Sequence, residues 1–475
     1  MKTKHLPPRP SGWSAQWFLS SVLLLLGISL SKDILDGTNF QLSANNLRLL
    51  NRPEQFHGEN VTGPFFEGWY YKTVLPKAAG SVIFIPGVFV PKSMNGEETT
   101  DTRQQPHGFV MVIRDPHTVE CLYYAYPMSE FSATPGTEDG YGFTVRIGKS
   151  TFHDKGMELN LDAAALVRTT DDDTSAFMRK ALRERQVLHP ELRFPGSEEK
   201  LLTREWPRKA LSVRGSVTFL DSVRFPGSKL IPTVMGPFAY LPAMECYHGL
   251  VSQYHQTTGA IRFETAEGSK EHEFDVTGGE GYMEKDHGIN FPMNWIWLQA
   301  GSFAREKGSS LMMSIADVPL LSKKGMLSRM VSSIPVYGSW LLSKFHMTGF
   351  LVTLHHSRTN TTHNLSLYTG SRIKSILSDA YLNADEKPMQ EVEITVTDFW
   401  RTKKMMVRAK RPIGAGVPLP GPIVEANRMA LIVEETLTVD VDVVFTVDGV
   451  IVLEDSGSIA GMEVVGDMKS LISGI

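Results

Sequence analysis

The stretch Thr436–Glu454 constrains this chain more than any other. Its first part, TLTVDVDVVFTV, alternates apolar and polar residues, runs into Asp448-Gly449, and continues as VIVLE. An Asp-Gly pair between alternating runs favours a type I′ turn, whose twist matches that of two antiparallel strands. Comparable runs recur at Pro64–Leu75, Ser81–Val90, His107–Arg114, Val119–Tyr126, Leu211–Leu220, Leu250–Tyr254, Ala260–Glu264 and Glu391–Trp400. Turn residues punctuate them at short intervals, as in an antiparallel meander. Sustained helix–strand alternation is missing, which argues against a doubly wound parallel sheet. A chain of 475 residues has room for about two domains. The expected architecture is therefore mainly β, with two antiparallel barrels or sandwiches in tandem.

Two stretches break the pattern. In Asp171–Leu188, three aspartates and Thr174 precede AFMRKALRER, an N-cap followed by good helix formers. Leu320–Phe345 is apolar, carries Lys323, Lys324 and Arg329, and contains Pro335 and Gly338. It suits a packed loop, or a helical surface insertion that shields a pocket or makes peripheral contact with a membrane.

The first thirty residues read as a targeting segment. Lys2, Lys4 and Arg9 precede the apolar run Trp17–Leu30, which is short of the ~20 residues a membrane span needs. With small residues at Gly27, Ser29 and Ser31, residues 1–31 are expected to be a signal peptide, or else an uncleaved signal anchor. Sequons at Asn60, Asn360 and Asn364 agree with entry into the secretory pathway. A net charge of −4 gives no reason to expect a nucleic-acid partner. Cys121 and Cys246 are the only cysteines, which excludes a disulfide scaffold and a cysteine-built zinc site and leaves a single bridge between them open.

Chemistry concentrates in Gly281–Gln299, GYMEKDHGINFPMNWIWLQ. Strand spacing puts Tyr282, Glu284 and Asp286 on one face, and Trp295, Trp297 and Gln299 on one face of a second strand. Acid opposite an aromatic wall suits a pocket that handles an apolar substrate by proton chemistry. A hairpin with a packed aromatic face and solvated charges has the same spacing. In Pro64–Leu75 the alternation sets Glu67, Trp69 and Tyr71 against Phe66, Tyr70 and Lys72. Familiar signatures fail: Gly148-Lys149-Ser150 has Phe143 where a P-loop needs glycine, and Gly414-Ala-Gly416 opens no helix. His355, His356 and His363 lack metal-ligand spacing and are expected at the surface, so no metal site is expected.

Four stretches in order resemble the tocopherol cyclase family, itself related to carotenoid 1,2-hydratases and other double-lipocalin-like proteins. They are Phe66–Lys72 (FEGWYYK), Tyr247–Gly249, Tyr282–Gln299, and Ala460–Gly466. The resemblance implies two consecutive lipocalin-like barrels, over about 50–240 and 241–475, with a helical insertion. It implies cofactor-independent closure of a chroman ring: a double bond of a prenylated hydroquinone is protonated and the phenol oxygen closes on the cation. Carried over residue by residue, it places Glu284 or Asp286 as the acid, with Lys285 and Glu67 in the catalytic group. Trp69, Tyr71, His248, Tyr282, Trp295 and Trp297 would line the substrate. The chain departs from the family at Asp286-His287-Gly288, where cyclases typically read Asn-Trp-Gly. Plant-type cyclases work in plastids, which a secretory chain would have to reach through the endoplasmic reticulum. A lipocalin-like carrier of an isoprenoid or other lipid would use the same aromatic-lined barrel without changing its cargo.

Overall fold

The computed structural model describes residues 49, 52–59, 61, 63–92, 101–115, 120–136, 142–167, 210–240, 244–319, 346–385, 387–413, 416–423 and 427–473. The helix expected at Asp171–Leu188 and the insertion at Leu320–Phe345 lie outside the described residues. Among those described, the longest helix is α1, Met468–Ser473, and no helix is long and apolar enough to cross a membrane.

Two large antiparallel sheets make up the fold. The first is built from β1 (Phe65–Val74), β2 (Ser81–Val90), β3 (His107–Asp115), β4 (Glu120–Pro127), β5 (Phe131–Pro135), β6 (Phe143–Ile147), β7 (Ser150–His153), β8 (Gly156–Leu161), β9 (Leu166–Val167), β10 (Leu211–Val223), β11 (Cys246–Thr265), β12 (Lys270–Asp275) and β13 (Gly279–Gly288). Its spatial order is β5-β6-β7-β8-β10-β11-β13-β1-β2-β3-β4-β9, with β12 paired to β11. The second holds β14 (Trp295–Ala300), β15 (Ser310–Pro319), β16 (His346–His356), β17 (Thr361–Asn364), β18 (Arg372–Leu382), β19 (Pro388–Thr397), β20 (Lys403–Pro412), β21 (Val417–Ile423), β22 (Arg428–Val447) and β23 (Val450–Val465). Its order is β17-β16-β15-β14-β23-β22-β20-β19-β18, with β21 on β22.

The first sheet curls into a half-barrel around one apolar core, to which Trp69, Phe84, Val112, Phe152, Val213 and Phe263 contribute. In neither sheet do ladder hydrogen bonds join the two end strands among the described residues, so closed barrels are not seen. The second sheet buries its own core on one face, with Leu298, Met313, Val352, Val407, Phe445 and Met462. A third apolar layer lies between the sheets and includes Tyr70, Tyr282, Trp295, Trp297 and Leu437. Asp448 and Gly449, at φ 49° and 78°, make the two-residue turn that joins β22 to β23.

Gly281–Gln299 does not form one hairpin. β13 pairs with β1 and β11, whereas β14 pairs with β15 and β23. The chain passes from one sheet to the other over residues 289–294, where Pro292 and Asn290 interrupt the pleat. This passage sets the acids of β13 and the tryptophans of β14 on facing sheets.

Candidate active site between the sheets

The period of two divides the residues of β1 and β13 sharply. Gly68 lies opposite Asp286 and Tyr70 opposite Glu284, all facing the second sheet. Trp69 lies opposite Lys285 and Glu67 opposite His287, facing the other way. On β11, His248 sits opposite Asp286. Across the gap, one rung of the second sheet runs from Trp297 through Glu463 on β23 to Glu435 on β22.

A cavity of about 230 Å³ opens between these faces. Its apolar lining includes Phe66, Phe109, Met111, Phe291, Leu419 and Met429, and its polar lining comes from His248, Glu284, Asp286 and Glu463. Trp295 and Trp297 form part of the wall. The Trp297 ring meets Tyr70 edge-on, with centroids 5.4 Å apart. Gly461 makes this possible: a Cβ there would lie 2.9 Å from the Trp297 ring and 3.2 Å from Glu435 Oε1.

The acids are held by specific donors. Glu284, only 5% exposed, accepts a short hydrogen bond from the Tyr282 hydroxyl and one of 3.3 Å from Trp297 Nε1. His248 Nε2 lies 3.4 Å from Glu284 Oε2, and His248 Nδ1 lies 2.8 Å from Asp286 Oδ1. Burial opposes a charge on this imidazole, but attraction to Glu284 and Asp286 raises its pKa well above the ordinary histidine value.

Glu463 accepts a 2.7 Å hydrogen bond from Trp295 Nε1. Burial, and then the neighbouring Glu435, push its pKa well above the usual carboxylate range. A shift in that direction favours the proton-bearing form of a carboxyl beside an apolar cavity. Glu435 accepts from the Tyr70 hydroxyl, and burial raises it to about 7. Lys72, which burial lowers to about 7, donates to Gln299 Oε1 at 3.0 Å and to the Ile459 carbonyl at 2.7 Å.

Of the residues singled out from sequence, Glu284, Asp286, His248, Trp295 and Trp297 meet at the cavity, and Tyr282 stands behind it as a donor to Glu284. Glu67, Lys285, Trp69 and Tyr71 do not. They point into the half-barrel because they occupy the other phase of the same two strands. There Lys285 makes a fully buried ion pair with Glu67 and donates to the Gln55 carbonyl. Its Nζ lies 2.6 Å from His57 Nδ1 and 5.2 Å from the Trp69 ring centre. Trp69 Nε1 donates to the Glu54 carbonyl at 2.8 Å, and the His57 backbone N–H reaches both Glu67 oxygens. These bonds tie the segment 53–57 across the half-barrel. Tyr71 packs on Phe152 and Phe219 in the core.

His57, Glu67 and His287 would suit a metal ion by donor chemistry and proximity. Lys285 Nζ stands among them, however, so the protein's own ammonium takes the place of a cation. Cys121 and Cys246 do not form a disulfide. His355 and His356 are buried, at 3% and 2% exposure, rather than on the surface. The sequence named Tyr70 and Lys72 only as the opposite face of β1, and it offered none of Tyr70, Lys72, Glu435 and Glu463 as a site residue. Glu435 carried a signal all the same: it falls in the apolar phase of Leu437, Val439, Val441 and Val443.

No family model matches the chain, and no curated protein sequence matches it. Solved structures with a similar course include an AttH-type protein of Nitrosomonas europaea, at 12% identity and TM-score 0.40, covering 87% of this chain and 95% of that one. CghA bound to Sch210972 matches at 10% identity and TM-score 0.41, covering 85% of this chain and 89% of that one. A second CghA structure matches at 9% identity and TM-score 0.39.

Proposed function

We propose that the inter-sheet cavity is an active site in which Glu463 protonates a carbon–carbon double bond of a hydrophobic, prenylated hydroquinone. The observation that carries this is the Glu463 carboxyl, held by Trp295 Nε1 at 2.7 Å in the wall of an aromatic-lined cavity, where its surroundings favour the proton-bearing form. Proton transfer to the alkene leaves a Glu463 carboxylate and a tertiary carbocation. The π faces of Trp297 and Tyr70 stabilise that cation and the apolar lining keeps water from it. The substrate's phenol oxygen then bonds to the cationic carbon, and the phenol proton returns to Glu463. No atom is gained or lost, as a cofactor-independent ring closure requires. Glu284 and Asp286, the acids suggested by sequence, hold the His248 imidazolium and shape the field at the cavity. The resemblance of Phe66–Lys72 and Tyr282–Gln299 to tocopherol cyclases supports the substrate class.

Incubating the full chain with a prenylated benzoquinol in deuterated water tests this. The expected product is a chroman carrying one deuterium at the former alkene carbon, with Glu463→Gln reducing turnover by a factor of about 10² to 10⁴. Binding of the quinol without conversion refutes catalysis and leaves a carrier. Full activity in Glu463→Gln refutes the assignment of the acid.

A further inference from the structure

We infer that the turn between β19 and β20, together with the β22–β23 turn beside it, docks the protein onto an anionic lipid surface. The β19–β20 turn reads Phe399-Trp400-Arg401-Thr402-Lys403-Lys404. Trp400 is 77% exposed and Phe399 40%, and their rings stack edge-to-face with centroids 4.8 Å apart. The Asp448 backbone N–H donates to the Thr402 carbonyl at 2.6 Å, which holds the β22–β23 turn against this one. That second turn adds Val450 and Ile451, 67% and 55% exposed. Among the described residues, nothing buries these large apolar side chains on two neighbouring turns.

Charge around them indicates what covers them. Arg372, Lys374, Arg401 and Lys404 are exposed and Lys403 is half-buried, and these five outnumber the nearby acids Asp398, Asp448 and Glu454. Asp398 is turned inward, accepting from the Lys403 backbone N–H and the Thr402 hydroxyl, both at 2.8 Å. Arg372 pairs with Thr397 next to the turn, and Gly370 packs on Phe399, so the basic groups ring the aromatic tip. A tryptophan at the tip with basic residues around it matches the headgroup region of a bilayer, where indole rings settle and anionic lipids attract lysine and arginine. An anionic bilayer satisfies both features together. A surface dock of this kind places the protein where apolar isoprenoids partition, but it stands independently of the reaction proposed above.

Vesicle flotation with the full chain tests the inference, comparing vesicles of phosphatidylcholine alone with vesicles that also contain phosphatidylserine. The expected result is binding to the anionic vesicles that weakens as salt is raised. Each basic group near the surface is worth about a fivefold change in partition, so replacing Arg401, Lys403 and Lys404 by glutamine lowers it about a hundredfold. The pair Phe399→Ala and Trp400→Ala abolishes the salt-resistant part of the binding. Unchanged unfolding midpoints confirm that these exposed substitutions leave the fold intact. No binding to anionic vesicles overturns the inference. So does equal binding by wild type and variants, which would trace to another surface or to the apolar run 17–30.

Discussion

Replacing Lys285 by methionine separates a structural ion pair from a catalytic one. The Lys285 and Glu67 side chains are fully buried, and Lys285 also serves the Gln55 carbonyl and His57. Without the ammonium, the Glu67 carboxyl is left with the His57 backbone N–H at 3.1 and 2.9 Å and the imidazole at 3.4 Å. Stranding one partner of such a pair costs about 3 to 5 kcal/mol, whereas replacing both by apolar residues is close to neutral. We therefore expect Lys285→Met to lower the free energy of unfolding in urea by about 3 to 5 kcal/mol. The double variant with Glu67→Met should lie within about 2 kcal/mol of wild type. Burial pushes the Glu67 carboxyl up, but Lys285 and His57 hold it below the usual range. Its contribution is thus present above the ordinary carboxylate pKa and is lost as pH falls through the depressed folded value. That acid dependence should shrink in Lys285→Met. Turnover and quinol binding by the folded double variant should match wild type, because both side chains face away from the cavity. A Lys285→Met protein of unchanged stability and no turnover would refute this and return Glu67 and Lys285 to the chemistry.

Three further outcomes are expected. Because its surroundings raise the Glu463 pKa well above the usual carboxylate range, turnover should fall as pH rises through that raised value, a limb displaced upward from an ordinary carboxylate's and one that Glu463→Gln should lack. His255 is buried with a pKa of about 3 against an ordinary 6.5, so it is neutral in the fold and charged in the unfolded chain below pH ~6.5. Stability should therefore drop by up to about 5 kcal/mol between those values, at about 1.4 kcal/mol per unit, and His255→Gln should flatten that slope in urea titrations at successive pH values. Gly461→Val should push Trp297 from the cavity wall and crowd Glu435 behind it, destabilise the protein by about 1 to 3 kcal/mol, and weaken quinol binding measured by tryptophan quenching; unchanged binding would show that the wall is not set there.

Local features were legible in sequence where local physics decides them. β2 spans the expected Ser81–Val90, and Asp448-Gly449 makes the expected turn. Alternation also sorted Glu67 from Tyr70 correctly, but it cannot say which face meets a cavity. That choice depends on how the second sheet docks, a contact between residues hundreds of positions apart. Leu250–Tyr254 and Ala260–Glu264 read as separate strands because Gln256–Gly259 is polar. In the fold they are one strand, β11, whose register shifts twice against β13. Glu463 lay within a stretch quoted for its resemblance, yet its place beside Trp295 at the cavity follows from β14 entering the second sheet instead of returning along β13. His355 and His356 were placed outside because sequons flank them, but a sequon locates only its own asparagine.

The six residues from Ile289 to Asn294 are all that join the strand bearing Glu284 and Asp286 to the strand bearing Trp295 and Trp297. Each sheet therefore carries half of the candidate site and neither carries a whole one. A chain cut at this crossing would give two fragments, one with His248 and its acids, the other with the proposed proton donor and its indole. The proposed chemistry would require the fragments to re-form the seam. The same division lets the two walls change separately: substitutions on β21 and β22 can reshape the apolar lining while the charged rung on β11 and β13 stays as it is.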